Sequence, residues 1–147
     1  MGWIFLWAFM DKLWGLGFAT EASRSWLSGA SPTSGFLNFA ASGPLAEYYR
    51  ELAGQAWVDW SYMVGLGLMG AALILGIGVR IASYAGVLFM LLLYGAVLPI
   101  ENNPFLDEHL VYILVLIGLA GSRSGHTLGL GNWWAGTRLV QRFPFLE

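Results

Sequence analysis

Between Trp60 and Ile100 the chain carries a single charged residue, Arg80. That arginine divides the stretch into two apolar runs, 57–79 and 81–98. Each is close to the roughly 20 residues that a helix needs to cross a bilayer core. A domain of 147 residues with 57% hydrophobic side chains has too little interior to hide them from water. Only 11% of its residues are charged, against roughly a quarter in soluble proteins. The 16% aromatic content excludes a disordered chain. A net charge of −2 leaves no general basic surface for nucleic acid. The absence of cysteine excludes a disulfide scaffold, a thiol relay, a haem-thiolate and a cysteine-ligated iron–sulfur cluster. A small integral membrane protein remains, with the lipid bilayer as its first partner.

Two further spans are expected, giving four at about 2–18, 57–79, 81–98 and 108–123. The first starts at the N-terminus without a basic leader or a small-residue cleavage site, which argues against a cleaved signal peptide. Its shortness suggests a few further native residues upstream. The last reaches bilayer length only when polar residues at both of its ends are counted. Short connections at Arg80 and 99–108 force neighbouring spans to run antiparallel. The expected fold is all-α, an antiparallel four-helix bundle embedded in the membrane, with all 147 residues in one transmembrane domain. Residues 19–56 are too many for a turn and too apolar for a free linker, so an interfacial cap of one or two short helices is expected there. Within it SGASPTSG (28–35) reads as a turn, and Pro44 suits the first turn of a helix over 44–53. A C-terminal surface segment over 124–147 carries Trp133, Trp134, Arg138 and Arg142. Arg80, Arg123, Arg138 and Arg142 share one side, while Glu21, Glu47, Glu51, Glu101, Asp107 and Glu108 crowd the other. The positive-inside bias puts both termini in the cytoplasm and the cap outside.

The scarce charges mark the candidate site. Asp11 and Lys12 lie inside the first expected span, where a charge needs a partner or water. Adjacent helical residues point about 100° apart, so the two do not pair on one face. They are either a proton or ligand site or an ion-pairing device for helix packing. Asp59, between Trp57 and Trp60, is either an acid favoured by the helix N-terminus or a partner for Lys12. The segment ENNPFLDEH (101–109) places Glu101, Asp107, Glu108 and His109 directly before the fourth span. It suits cation binding or acid–base chemistry, or, more simply, Asp107 caps the helix. His109 does nothing for a helix N-terminus and is the best single site residue.

Other patterns point to packing. His109 and His126 are about 25 Å apart along a helix, so a bis-histidine haem is not expected. Gly65, Gly67 and Gly70 spell G-x-G-x-x-G, but inside an apolar helix rather than after a strand, so no dinucleotide site follows. With Ala71, Ala72 and Gly76 they form small-xxx-small spacings, fit for close contact within the bundle or for a dimer face. The aromatics, among them Trp7, Trp57, Trp60 and Tyr62, serve interfacial belts and core packing or line a flat pocket for a quinone ring.

FLWAFMDKLWGLGFAT (5–20) and ENNPFLDEH together resemble the DoxX/DoxD-like membrane proteins, which include the membrane subunit of thiosulfate:quinone oxidoreductase. SPTSGFL, AWVDW and LILGIGVRIA are similar to actinobacterial or archaeal members, and the resemblance covers nearly the whole chain. It implies a prokaryotic plasma-membrane protein with four helices. Some members are tied to quinone reduction by thiosulfate, and others are only membrane partners of redox enzymes. By the same resemblance Lys12 and the Asn103-Pro104 loop line the family's pocket. The expected function is a membrane subunit of a quinone-linked oxidoreductase, with quinone as the only cofactor and no metal. Asp11, Lys12, Asp59 and His109 would supply hydrogen bonds and protons; Trp7, Trp60 and Asn103 would hold the quinone. The alternative is a non-catalytic scaffold subunit that docks a redox enzyme or respiratory complex. Both imply a partner redox subunit or a homo-oligomer.

Overall fold

The computed structural model describes residues 1–100, 106–122 and 124–146, and all regular structure among them is helical. Four helices supply the core: α1 (Gly2–Trp14), α4 (Ala56–Leu75), α5 (Val79–Ala96) and α6 (Glu108–Gly121). Between α1 and α4 lie the short α2 (Ser34–Phe39) and α3 (Ala46–Leu52). After α6 come α7 (Gly125–Leu128), α8 (Gly131–Ala135) and α9 (Arg138–Arg142).

Close glycine contacts define how α1 and α4 meet. Gly2 lies against Ile74, Leu6 against Gly70, and the Phe9 ring against Gly67, so the two helices run in opposite senses. A Cβ on Gly70 would come within 2.6 Å of the Leu6 backbone nitrogen. Gly67 and Gly70 of the small-residue stripe are therefore used within the chain, and the dimer-face alternative loses those two positions. Helices α5 and α6 are also antiparallel: Tyr94 neighbours His109, Gly86 packs on Leu116, and Val79 shares a small crevice with Leu119. Phe5, Leu66, Met69, Met90, Ile113 and Leu116 form the buried centre, with every one of the four helices contributing.

Helices α4 and α5 are long and apolar enough to cross a membrane by length and composition; α6 is apolar but shorter. Their outward faces stay apolar, with Leu68, Leu88, Leu92, Leu114 and Ile117 all exposed. The first helix stops earlier than the expected residue 18. Gly15 takes a left-handed conformation at φ 67° after Trp14, and its N–H closes on the Asp11 carbonyl at 2.8 Å. Asp11 and Lys12 thus sit in the last turn of α1 rather than mid-span.

The cap follows. A 3-10 turn at Gly43–Leu45 carries Pro44 and leads into α3, two residues later than the expected start at 44. Ser42 N–H donates to the Ala96 carbonyl at 2.9 Å, and the Tyr49 hydroxyl donates to the Leu92 carbonyl at 2.9 Å. These bonds pin the cap to the C-terminal end of α5. At the molecule's other end the tail docks on the α4–α5 turn, where Leu130 N–H donates to the Leu75 carbonyl at 2.7 Å. Trp134 Nε1 then donates to the Leu146 carbonyl at 2.8 Å.

Candidate functional site

A cavity of about 310 Å³ lies between the cap and the α4–α5 pair, at the low end of the roughly 300–1,000 Å³ range of small-molecule sites. Phe36 and Leu37 come from α2, Tyr48 and Tyr49 from α3, Trp57 and Tyr62 from α4, and Phe89 and Leu93 from α5. The wall is mostly aromatic and aliphatic, with Thr33, Ser61 and the tyrosines as its polar groups. Two hydroxyls are already engaged: Ser61 Oγ donates to the Trp57 carbonyl at 2.6 Å, and Tyr49 is tied to Leu92. Burial pushes the Tyr49 hydroxyl above its ordinary pKa, and Tyr48 adds to the shift, so it stays a neutral donor.

One carboxylate ties down the chamber's roof. Asp59, in the first turn of α4, is only 7% exposed. Its Oδ1 accepts from Ser31 Oγ at 2.8 Å, from Thr33 N–H at 3.3 Å and from the Thr33 hydroxyl. Ser31 Oγ in turn accepts from Ser34 N–H at 3.0 Å, which closes the turn into α2. Pro32 and Thr33 then line the chamber directly. A buried charge is tolerable when several donors converge on it, and this one is so satisfied.

Asp11 has a parallel role. It is 2% exposed and accepts from Phe18 N–H at 3.3 Å and Ala19 N–H at 3.1 Å. The chain leaving α1 is thereby folded back over the helix end. Lys12 turns elsewhere, as the 100° offset requires, and its Nζ lies 6.0 Å from the centre of the Tyr62 ring. That is at the outer limit of a cation–π contact. Tyr62 therefore connects Lys12 to the chamber wall.

His109 lies apart from these three. Its Nδ1 is 2.6 Å from Asp107 Oδ2, and its ring is 6.5 Å from Tyr94. It lines a different, larger opening together with Phe36, Ser42 and Val97. Phe36 borders both cavities. Asp107 caps α6 through Oδ1, which accepts from Leu110 N–H at 3.2 Å. Burial acts to raise the Asp107 carboxyl, but the hydrogen bonds from His109 and Leu110 and the histidine's charge outweigh it and hold it below its ordinary value.

Trp7 and Trp60 are not among the chamber-lining residues. Trp7 packs edge-on to Phe18 at 5.1 Å and near Trp3, and Trp60 packs on Trp26 at 4.6 Å. Asn103, like Glu101 and Arg123, lies outside the described residues. Sequence reasoning missed Ser31, Thr33, Tyr48 and Tyr49 as site-forming residues. It noted the first two only as part of a turn, and the tyrosines fell unremarked within the apolar cap segment. No group of three or more His, Asp or Glu side chains that could hold a metal ion occurs among the described residues. No family model matches the chain, and comparison with curated proteins and with solved structures returns no match.

Proposed function

We propose that this chain is a DoxX-like, multi-pass protein of the prokaryotic plasma membrane and the membrane subunit of a quinone-linked oxidoreductase. In this reading α1, α4, α5 and α6 form an antiparallel four-helix membrane bundle. The short α1 and α6 complete their crossings with the residues that flank them. The exposed apolar faces of α4, α5 and α6 suit acyl chains as solvent. The observation that carries the functional reading is the aromatic chamber beneath the cap. It is lined mostly by aromatic and aliphatic side chains, and the helices that bound it expose apolar faces that would meet lipid, the phase in which a hydrophobic ring dissolves.

A quinone fits those walls better than a hydrophilic substrate does. Its ring stacks on aromatic faces, and its two carbonyls need only a few donors. When bound it supplies a two-electron, two-proton acceptor. Phe36, Tyr48 and Tyr62 would flank the ring. Tyr62 would offer its hydroxyl to a carbonyl, and Lys12 beside it would favour negative charge on that oxygen. Asp59 would act at one remove, by keeping the roof closed against water. The chain has no cysteine, so a sulfur donor such as thiosulfate is not held covalently here. A partner redox subunit would deliver the electrons.

The test is equilibrium binding of a short-tailed naphthoquinone to the purified full chain in lipid nanodiscs. Wild type should bind, and Val58→Phe, which fills the chamber, should weaken binding about tenfold or more while the protein stays folded. Absence of binding by wild type, or equal binding by the filled variant, would sink the assignment.

A further inference from the structure

We infer that Asp107 and His109 form an oriented acceptor for a ligand hydroxyl, at a second cavity that takes the reduced, hydroxyl-bearing form of the quinone. This rests on the quinone reading above and divides its work between two places. The two oxygens of Asp107 have separate tasks. Oδ1 caps α6 by accepting from Leu110 N–H at 3.2 Å, while Oδ2 lies 2.6 Å from His109 Nδ1. In the neutral imidazole, a carboxylate acceptor at Nδ1 places the single ring proton there and leaves the lone pair on Nε2. Nε2 has no hydrogen-bond partner among the described residues. The ring instead lines an open cavity of about 510 Å³, floored by Phe36, Phe39, Val97 and Leu106 and edged by Ser42 and Glu108.

The chamber beneath the cap cannot do this job. Among the described residues, its lining holds hydroxyls of Thr, Ser and Tyr but no histidine or carboxylate. Serine, threonine and neutral tyrosine hydroxyls are at best weak acceptors for a phenolic proton, whereas a neutral imidazole nitrogen is a strong one. A quinone carbonyl, by contrast, has no hydrogen to give to Nε2 and gains nothing there. The cavity's chemistry therefore separates the two redox forms: the carbonyl form suits the donors of the chamber, and the hydroxyl form suits the dyad. The ring of Phe36 is common to both walls, so the two places are neighbours. Among the described residues, Asp107 and Tyr94 face His109, Glu108 shares its cavity, and the residues that line that cavity include no cation.

Asp107→Asn separates the positioning role from the capping role, because the amide oxygen still accepts from Leu110 N–H while the charge at Nδ1 is lost. The full chain in nanodiscs is titrated with a short-tailed naphthoquinol under anaerobic conditions and, separately, with its quinone. Asp107→Asn and His109→Gln should each weaken quinol binding about tenfold, the size of one lost charge-assisted hydrogen bond, and change quinone binding less than about twofold. The chain has only two histidines, so a His126→Gln background leaves one imidazole to observe. Its nitrogen NMR should show the Nδ1-protonated tautomer with Asp107 and the Nε2-protonated one with asparagine, whose amide N–H would face Nδ1. Equal effects on both redox forms, no effect on either, or an Nε2-protonated tautomer in the presence of Asp107 would overturn the dyad while leaving the chamber assignment standing. If wild type binds neither form, the parent reading fails and this one with it.

Discussion

Asp11 and Asp59 show what a membrane-type chain does with a carboxylate it cannot leave in hydrocarbon. Each is drawn to a helix end and wrapped by donors from a loop: Phe18 and Ala19 amides for one, Ser31 and Thr33 groups for the other. Neither needs a cation. Removing the Asp59 carboxylate strands those donors, and hydrogen bonds to charged groups contribute about 1.5–3 kcal/mol. Asp59→Ala should therefore lower thermal stability by about 2 kcal/mol and speed protease cutting within residues 19–56, with Asp59→Asn intermediate. Unchanged digestion of that segment would show that the cap is held by other contacts. Asp107 adds a pH dependence. Its folded-state carboxyl titrates below the unfolded value of 3.8. The ionised form thus contributes stability above that value, and the contribution disappears as pH falls through the lower folded value. Acid titration followed by helical circular dichroism should show a loss of stability in wild type below about pH 3.8 that is reduced in Asp107→Asn.

At the scale of elements, glycine has two different meanings in the long helices. Gly70 allows backbone-to-backbone approach with Leu6, whereas nothing lies within 4 Å of where a Cβ on Gly118 would sit. Gly70→Ala should cost about 1–3 kcal/mol because α1 must shift, as overpacking does elsewhere. Gly118→Ala should be neutral or gain up to about 1 kcal/mol from helix propensity. Thermal unfolding of the two variants side by side decides the matter; equal effects would mean that α1 and α4 do not meet through this stripe. The apolar pattern and Arg80 made α4 and α5 legible before any coordinates, and the turn between them came out at Gly76–Gly78, close to the arginine. The end of α1 was not legible. Residues Gly15–Phe18 are as apolar as the helix before them, and only the backbone conformation of Gly15 and the pull of Asp11 stop it at Trp14.

For the whole molecule, the proposed membrane placement carries a testable orientation. Arg80 and the tail, with Arg138 and Arg142, occupy one end, and the cap with most of the carboxylates occupies the other. Under that proposal, the positive-inside bias would put the first end in the cytoplasm. A chain without cysteine is its own clean background for labelling. A single cysteine at exposed Ser23 should react with a membrane-impermeant maleimide in intact cells, and one at exposed Gln141 should react only after permeabilisation. The reverse pattern would invert the topology, and labelling of both in intact cells would argue against a cytoplasmic tail.

Residue pattern alone was enough to read the chain as helical and apolar and to place four candidate spans, of which α4 and α5 have bilayer length in the structure, with a polar-edged segment between the first helix and them. Those properties are local, since hydrophobic run length and turn residues act over a few positions along the chain. Only the tertiary structure decided what each scarce charge does. Asp59 meets Ser31 and Thr33 from 26 to 28 residues away, and the chamber needs α2, α3, α4 and α5 at once. A buried carboxylate takes whichever donors folding brings within hydrogen-bond reach, and no local pattern encodes that choice. The Asp107–His109 contact is the exception: the two lie two residues apart on the chain and were already grouped as acid–base candidates, and the structure adds that Asp107 caps α6 and meets His109 at the same time.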